Sequence, residues 1–440
     1  MYTPTRTELR RSMTGRPILA SLALAAALSA CGGGRGAPAA PPDAPWWKGN
    51  LHTHSLWSDG DDFPEMITDW YREQGYDFLA ISDHNTLAEG EKWVSVRTGS
   101  PLMDHYERYV DRFGPDWVEE RRSGDTLQVR LRTLGEYRPL LEEPGRFVII
   151  QSEEITSRLE EKRVHMNATN LVEAIPPQEG GTVREVMQNS IDAVRAQRER
   201  TGQPMFPHVN HPNYYWSVSV EDLMALEGER FFEVYNGHPR VHNEGDHEHP
   251  STARMWDILL AQRLSAGREV MYGLATDDSH YYGSFTSGGN NPGRGWVMVR
   301  APELTANALV EAMERGDFYS STGVVLSDIA LRDGQLRLEI AADSNVTYRT
   351  RFIGTRRGFD SHSEEQRGED GVVSRRYSDD IGQLLAEVPG ASPSYRLRGD
   401  EIYVRAQVIS SRLKEYGYPE GELETAWTQP VVPTSGDLRP

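Results

Sequence analysis

The stretch WWKGNLHTH at residues 46–54 decides how this 440-residue chain folds. Its apolar beginning predicts a β-strand, and His52 and His54 follow where that strand ends. Side chains two positions apart on an extended chain share one face, so both imidazoles can bind the same metal ion. Asp278 and His280 repeat this spacing far along the chain. A single pair of this kind is commonly accidental, but two pairs predict a metal site.

Further metal-type side chains lie between these two pairs, and most follow an apolar, strand-like run. The complete set of candidate ligands is His52, His54, Asp59, His84, Glu154, His165, His211, Asp278 and His280. This set is too large for one tetrahedral ion, so the sequence predicts several ions. Mixed imidazole and carboxylate ligands favour Zn, Mn or Fe, because Mg and Ca prefer oxygen ligands and structural Zn usually recruits thiolates.

Apolar runs alternate with helix-like segments from Trp46 onward, which predicts an α/β fold around a parallel sheet. Three clear helices are expected at Pro64–Gln74, Val183–Arg198 and Ser251–Ala266. Seven strands are expected at Trp47–Thr53, Asp77–Ser82, Phe147–Ser152, Val164–Asn170, Pro204–Val209, Phe231–Tyr235 and Val270–Ala275. Each strand leads into polar or ionisable residues. The candidate ligands would therefore gather at the C-terminal ends of the strands, where βα barrels carry their chemistry.

Two further segments depart from this alternation. Residues 89–146 form a long insertion, predicted to be a helical cap or lid over the strand ends or, equally, a plain surface helix. From residue 325 to residue 440, alternating apolar residues predict a small antiparallel β domain, with one short helix at Ile381–Glu387. The main domain would then span residues 46–324.

The N-terminus has the pattern of an export signal. Four arginines precede an apolar run, and a small-residue motif ends at Cys31, the one cysteine of the sequence. Residues 1–30 resemble a bacterial lipoprotein signal, which implies lipid attachment at Cys31, while residues 31–45 predict a flexible tether. We therefore expect an exported protein anchored in the cell envelope on the periplasmic side, and Gly32 favours the outer membrane.

The formal net charge of −19 argues against nucleic acid as a partner, because phosphate backbones are usually bound by basic surfaces. A single cysteine also rules out an internal disulfide. The oligomeric state is left open by the sequence.

Several of these motifs occur in a fixed order: His52-x-His54, Ser58-Asp59-Gly60, Ser82-Asp83-His84-Asn85, Glu154, His165, Asn210-His211-Pro212 and Asp278-x-His280. In this order they resemble the PHP superfamily, named for polymerase and histidinol phosphatase. The resemblance implies a distorted seven-stranded (β/α) barrel, two or three divalent metal ions and hydrolysis of phosphoesters. Residues 233–236 and 427–430 look more like the branch that includes a microbial carbaryl hydrolase, where the ester is a carbamate.

The resemblance also implies a division of the ligands among three ions, with Asp59, His84, Glu154 and His280 as catalytic residues. The first ion would take His52, His54, Glu154 and Asp278. The second would take Glu154, His165 and His211, so that Glu154 bridges two ions. The third would take Asp59, His84 and His280. Asp59 stands where some relatives have His.

Other polar residues are candidates for supporting the ligands or touching substrate. They are Asp83, Glu153, His208, Asn236, His238 and Arg294. Glu153 competes with Glu154, since strand alternation lets only one of them face the site. His208 would orient a ligand or simply pack, and Arg294 could meet an anionic group. The histidine-rich segment Gly237–Pro250 is more typical of a solvated loop than of a metal site.

The sequence favours an exported hydrolase that uses a metal-bound hydroxide to cleave phosphoesters of small molecules. One alternative keeps the metal site but cleaves a carboxylic or carbamate ester. Another is a non-enzymatic, metal-binding envelope lipoprotein. A serine nucleophile at Ser58 or Ser279 is disfavoured because neither lies in a Gly-x-Ser-x-Gly turn.

Overall fold

The computed structural model describes residue 41 and residues 43–124, 126–367 and 373–434. The predicted signal, Cys31 and most of the predicted tether lie outside these residues. The helices are α1 (Pro64–Glu73), α2 (Pro101–Phe113), α3 (Leu134–Leu141), α4 (Val183–Thr201), α5 (Val220–Met224), α6 (Thr252–Ser265) and α7 (Ala306–Glu314).

The strands of the first half are β1 (Trp46–Asn50), β2 (Phe78–Ile81), β3 (Trp93–Val96), β4 (Glu120–Ser123), β5 (Thr126–Arg130), β6 (Val148–Leu159), β7 (Lys162–Thr169), β8 (Phe206–Val209), β9 (Phe231–Asn236) and β10 (Tyr272–Thr276). Those of the second half are β11 (Trp296–Arg300), β12 (Phe318–Ser321), β13 (Leu326–Arg332), β14 (Gln335–Ile340), β15 (Tyr348–Arg356), β16 (Ser363–Arg367), β17 (Val373–Tyr377), β18 (Gln383–Pro389), β19 (Ser394–Arg396), β20 (Glu401–Leu413) and β21 (Leu423–Thr428).

The fold is mixed α/β, with a large central sheet and a few short antiparallel sheets. The central sheet has the order β10-β9-β8-β7-β6-β2-β1-β11-β12-β21-β20-β15-β18. All seven predicted strands are present, as β1, β2, β6, β7, β8, β9 and β10. The prediction of a parallel arrangement is wrong for β7, which is antiparallel to both β6 and β8. The reason is that β6 turns back directly into β7 as a hairpin, with no crossover helix between them.

The antiparallel direction of β7 changes how one ligand reaches the site. His165 lies within β7 opposite Thr156 of β6, in agreement with the predicted strand Val164–Asn170, and so does not reach the site from a strand's C-terminal end. The hairpin extends β6 beyond its pairing with β2, which ends at Gln151. His165 therefore reaches the other candidate ligands from a strand that runs opposite to β6.

The two ends of the seven-strand order approach each other beyond β1 and β10. Thr53 and Ser279 form an isolated parallel bridge. The backbone amide of His54 donates to the carbonyl of Ser279 at 3.0 Å, and the amide of Asp278 donates to the carbonyl of His52 at 3.0 Å. Among the described residues, β1 and β10 share no regular ladder, and the closed barrel stays a prediction.

Two segments have a secondary structure that differs from the prediction. Residues 89–146 are not only helical, because α2 and α3 accompany an antiparallel sheet of β3, β5 and β4. Residues Ile381–Glu387 do not form the predicted helix. Most of that segment belongs to β18, which pairs along β15, so ladder hydrogen bonds override a weak local helix signal.

The C-terminal strands are antiparallel to their neighbours, and β21 pairs with β12 to continue the central sheet. Strand β9 is enclosed by the largest apolar cluster, in which Phe232 and Trp256 are fully buried. Burying a side chain of this size contributes about 1.5–3 kcal/mol. This packing gives β9 and its polar residues a fixed position. Within the described residues, no helix is long and apolar enough to span a bilayer.

Candidate metal centre

The first two ligands emerge together from the end of β1. His52 and His54 are both fully buried, and Thr53 between them points to the opposite face and bridges to Ser279. This bridge places the Asp278 carboxylate beside both imidazoles, although the two segments are far apart in sequence. The spacing of two residues therefore brings His52 and His54 to the same carboxylate, as predicted.

Four side-chain atoms form a compact group that we call the inner cage. The Nε2 atom of His52 lies 3.6 Å from Glu154 Oε2 and 3.2 Å from Asp278 Oδ1. The Nε2 atom of His54 lies 3.4 Å and 3.3 Å from the same two oxygens. Ligand atoms about 2.0–2.1 Å from a tetrahedral ion lie about 3.3–3.4 Å from one another. The four atoms thus match the edges of a tetrahedral coordination shell.

The hydrogen bonding of the inner cage also fits a bound cation. The Nε2 atoms of His52 and His54 are buried and have no hydrogen-bond partner. Buried polar atoms in folded proteins are almost always paired, so two such atoms aimed at the same carboxylates indicate a missing partner of positive charge. A divalent metal ion satisfies both imidazoles and both carboxylates at once.

A second group shares Glu154 with the inner cage. Glu154 Oε1 lies 2.9 Å from His165 Nδ1 and 3.6 Å from His211 Nε2, whereas its Oε2 belongs to the inner cage. Asp278 divides its oxygens in the same way, since its Oδ2 lies 3.9 Å from His211 Nε2. The carboxylate of Glu154 is therefore placed to bridge two ions.

The third group is nearer to solvent, and we call it the outer group. Asp59 Oδ1 lies 3.5 Å from His84 Nε2 and 3.5 Å from His280 Nε2. The Asp59 side chain is 58% exposed. The His280 ring stacks on His54 with 4.1 Å between centroids, which joins the outer group to the inner cage. All nine predicted ligands are thus brought together, in clusters that could hold several metal ions.

The carboxylates of the inner cage are held in the ionised form. Burial opposes ionisation of Glu154, but the imidazoles of His84, His165 and His52 outweigh it and hold its pKa well below the usual value. Burial likewise opposes ionisation of Asp278, and His52 and His54 reverse the effect, so its pKa is also well below normal. Burial and the neighbouring His280 and His84 lower the pKa of His54 to about 3. Burial opposes protonation of His52, but the carboxylates of Asp278, Glu233 and Glu154 outweigh it and hold its pKa well above the usual value. Because metal binds neutral imidazole and ionised carboxylate, an ion in the inner cage would displace the proton of His52.

Glu233 is a residue of the site that sequence reasoning missed. Its Oε1 lies 2.7 Å from His52 Nδ1, and its Oε2 accepts the His211 backbone amide at 2.7 Å. A carboxylate on the second ring nitrogen fixes the tautomer of a ligating histidine and increases its basicity. The available signal was one acid within the apolar strand residues 231–235.

Two asparagines hold the bridging carboxylates. Asn236 Nδ2 donates to Asp278 Oδ2 at 3.2 Å and to Glu233 at 2.8 Å. Asn210, which the sequence did not single out as a site residue, donates to Glu154 Oε1 at 2.8 Å. The orientation of both carboxylates is thus set by side chains outside the ligand set.

Asp83 lies beneath the loop that carries Asp59. Its carboxylate accepts hydrogen bonds from the Ser55 amide at 2.8 Å and from the Ser58 hydroxyl at 2.6 Å. It therefore shapes the loop after β1, in line with a supporting role. Glu153 points away from the metal ligands, with its Oε2 accepting the Ile175 amide at 2.8 Å. Of the two adjacent acids, only Glu154 faces the site.

Two other predicted residues lie close to the site. His208 is fully buried, and its Nε2 is 3.5 Å from Glu233 Oε1, so it lies behind the inner cage. His238 faces the site, with its ring 5.9 Å from that of His280. Burial lowers the pKa of His238 to about 4, so this imidazole is neutral at neutral pH.

The prediction that Arg294 meets an anion is wrong for this geometry. Its guanidinium is buried and donates to the backbone carbonyls of Gly237 at 2.8 Å and Ser287 at 2.7 Å. These hydrogen bonds satisfy backbone carbonyls of two loops, so Arg294 stabilises the loops and is not available to an anion. In the nearby histidine-rich segment, His242 and His249 stack on the indole of Trp216, at 4.6 Å and 4.0 Å.

A cavity of about 500 Å³ opens over the ligands. Arg240, which the sequence did not single out, is the one arginine among its lining residues. The lining residues are Asp59, His84, Glu154, His165, His211, Tyr214, His238, Pro239, Arg240, Asp278, His280, Tyr281, Gly288, Asn290 and Tyr418. The cavity is large enough for a small organic ester.

No family model and no curated protein matches the chain. Among solved structures, a two-domain protein from Bacteroides vulgatus containing a predicted PHP-like metal-dependent phosphoesterase is 14% identical, with 90% of this chain and 99% of that chain covered, at a TM-score of 0.37. A proposed metal-dependent phosphoesterase from Bifidobacterium adolescentis is 15% identical, with 56% and 90% covered, at a TM-score of 0.26. The function of this chain therefore rests on its own residues.

Proposed function

We propose that this protein is a metal-dependent hydrolase that cleaves phosphoester bonds of small molecules. The observation that carries the proposal is the inner cage, in which two unpartnered imidazole nitrogens and two ionised carboxylates lie at tetrahedral spacing beneath an open cavity. Protein ligands fill all four positions of a structural zinc site, whereas the outer group offers only Asp59, His84 and His280 and faces solvent, which leaves a position for water.

The described residues supply the framework that such a reaction needs. Zn, Mn or Fe ions held by these ligands would lower the pKa of bound water and stabilise negative charge on the attacked ester. Glu154 would help to hold two of these ions, since its two oxygens face different groups of ligands, and Asn210 and Asn236 keep the carboxylates of Glu154 and Asp278 oriented. His238 and Arg240 line the same cavity, and contact of both with the substrate is part of the proposal. The PHP resemblance implies a division of the ligands among three ions, and we include that division in the proposal. The closed seven-stranded barrel is also part of the proposal.

A second candidate is a carboxylic or carbamate ester hydrolase on the same site. It is favoured by the single arginine of the cavity lining, because recognition of a doubly charged phosphate commonly recruits more than one cationic side chain. A neutral ester needs none. The carbaryl-hydrolase-like branch of the resemblance belongs to this candidate.

Side-by-side turnover separates the two candidates. We expect metal-loaded protein to hydrolyse bis-p-nitrophenyl phosphate faster than p-nitrophenyl acetate, and to lose this activity on chelation. Arg240→Ala should lower kcat/KM for the phosphoester and leave the acetate unaffected, because only the phosphoester is anionic. Arg146→Ala, a change at an arginine that is 79% exposed, is the matched control. A strong preference for the acetate, with no effect of Arg240→Ala, would favour the second candidate.

We also propose that the chain is exported and anchored to the membrane through a lipid on Cys31. The proposal rests on the sequence of residues 1–31 alone. Cys31→Ser should prevent incorporation of labelled fatty acid and shift the protein from the membrane fraction to the soluble fraction. Unchanged labelling in that variant would contradict it.

A further inference from the structure

The loop between β20 and β21 reaches the cavity from the C-terminal part of the chain. Tyr418, on this loop, lines the cavity together with the ligands, although the nearest lining residue in sequence is Asn290. Its side chain is 43% exposed. A single exposed tyrosine is ordinary on a protein surface, but this one lines a polar cavity, where its ring can offer an apolar face to a ligand.

The same loop is fixed to the strand that supports the metal centre. Lys414 is buried, with its ammonium 3.0 Å from Glu422 Oε2 and in contact with the Tyr235 hydroxyl. The ammonium also lies 4.2 Å from the centre of the Tyr235 ring. Tyr235 belongs to β9, between Glu233 and Asn236, which orient the inner cage. A buried ion pair is costly to build and can fix one conformation of a segment.

Two other tyrosines, Tyr214 and Tyr281, line the cavity together with Tyr418. Tyr281 follows the ligand His280 and is 50% exposed, and Tyr214 packs against the ligand His211 with 4.9 Å between ring centroids. Arg240 contacts the Tyr214 side chain, which places the positive charge beside this ring. The cavity thus has ionic groups at its base and tyrosine rings with one guanidinium at its rim.

We propose that the loop 414–422 is a substrate-selecting wall of the cavity, and that Tyr418 binds the planar, apolar part of an ester whose anionic group faces the metal centre and Arg240. This proposal deepens the proposed hydrolase function and rests on it for the position of the ester group. It assigns a role to the C-terminal strands. They hold a specificity residue over a site built by the first part of the chain.

Binding of unreactive phosphonates tests the wall without relying on turnover. Phenylphosphonate and methylphosphonate share the anionic group, and only the first carries a ring. We expect titration calorimetry on the purified, metal-loaded protein to give a lower Kd for phenylphosphonate. Tyr418→Ala should raise that Kd about 10-fold, because one aromatic contact with its buried area is worth about 1.4 kcal/mol. The Kd for methylphosphonate should not change, and Tyr418→Phe should bind as the native protein does.

Tyr416→Ala is the matched control, since Tyr416 lies on the same loop and is 41% exposed but faces Phe285 instead of the cavity. Equal effects of Tyr416→Ala and Tyr418→Ala, or no effect of Tyr418→Ala, would overturn the proposal. Lys414→Met should reduce phenylphosphonate binding as Tyr418→Ala does, with no further loss in the double variant. Tyr418-dependent binding in a protein that hydrolyses no phosphoester would support the wall and contradict the phosphoesterase instead.

Discussion

Glu154 at the metal centre and Glu65 beneath the insertion are both completely buried, yet burial has opposite outcomes for them. At the metal centre, imidazoles overcome the cost of burial and keep the pKa of Glu154 well below normal. Beneath the insertion, burial raises the pKa of Glu65 to about 7, and hydrogen bonds from Tyr109 and Trp117 only partly oppose it. The difference teaches that burial raises the pKa of an acid whose hydrogen-bond donors are mainly neutral, as at Glu65, and that imidazoles gathered around Glu154 outweigh the same burial.

The largest expected effect is at the bridging carboxylate. Glu154→Gln removes the charge that faces two groups of ligands, so both inner ions should be lost. We expect kcat/KM to fall about 1000-fold or more, equivalent to about 4 kcal/mol. Metal analysis of the purified variant should show the same loss.

Glu153→Gln is the matched control for this change, because the neighbouring acid is equally buried and points to the other face of β6. It should keep its metal and its activity. If the two variants behave alike, Glu154 has no special position and the comparison between the two kinds of buried acid collapses.

A smaller effect is expected at Glu233, which touches His52 but not the ions. Glu233→Gln weakens the hydrogen bond to His52 Nδ1 and should reduce metal affinity about 10- to 100-fold. The measurement is a competition titration with a chelating dye. Glu229→Gln, at a buried acid just before β9, should leave the affinity unchanged. Equal losses would mean that any buried charge near β9 matters, not the contact with His52.

At the outer group, we expect a smaller loss of activity, because the Asp59 side chain is largely exposed. Asp59→Ala should lower the metal content by one ion and kcat/KM by up to about 10-fold, because His84 and His280 remain and the inner cage is unchanged. Metal stoichiometry and kinetics on the same preparation measure this. Asp111→Ala, on the exposed side of α2, should alter neither quantity. Loss of all ions from Asp59→Ala would show that the outer and inner groups form one cooperative unit.

The candidate ligands could be collected from sequence because histidines, of which the chain has 13, recur with acids in or after apolar, strand-like runs. The structure brings these residues together. The shared face of His52 and His54 follows from strand alternation, whereas Asp278 reaches them through the bridge between Thr53 and Ser279. The antiparallel direction of β7 was not predictable, since a strand's pattern is the same in either direction. Glu233 was missed for a related reason, because a polar residue within an apolar strand shows its purpose only when its neighbouring strands are known. Asn210 follows the end of β8, and its contact with Glu154 joins segments that are distant in sequence.

The C-terminal part shows the same limit in another form. Its alternating pattern predicted antiparallel strands, and the structure has them. The pairing of β21 with β12 and the approach of Tyr418 to the cavity depend on contacts between distant segments, which local patterns do not encode. Arg294 and Arg240 are equally charged in sequence, and only the fold determines which one is clamped by carbonyls and which one lines the cavity.

The smallest expected effect concerns Glu65, and it appears only as a dependence of stability on pH. In the unfolded chain this carboxyl has a pKa near 4.5, whereas in the folded chain the value is about 7. As pH rises from 4.5 to 7, the unfolded chain releases the proton and the folded chain retains it, so the free energy of unfolding falls across this window. Below this pH window the group does not change the free energy of unfolding, and above it the destabilisation is constant.

Glu65→Gln keeps a carbonyl oxygen for Tyr109 and Trp117 and has no proton to release. Urea unfolding at pH 5 and pH 8 should therefore show the variant gaining about 1–3 kcal/mol relative to the native protein at the higher pH. An unchanged difference between the two pH values would mean that hydrogen bonds keep Glu65 ionised without any imidazole, and burial would then not distinguish it from Glu154.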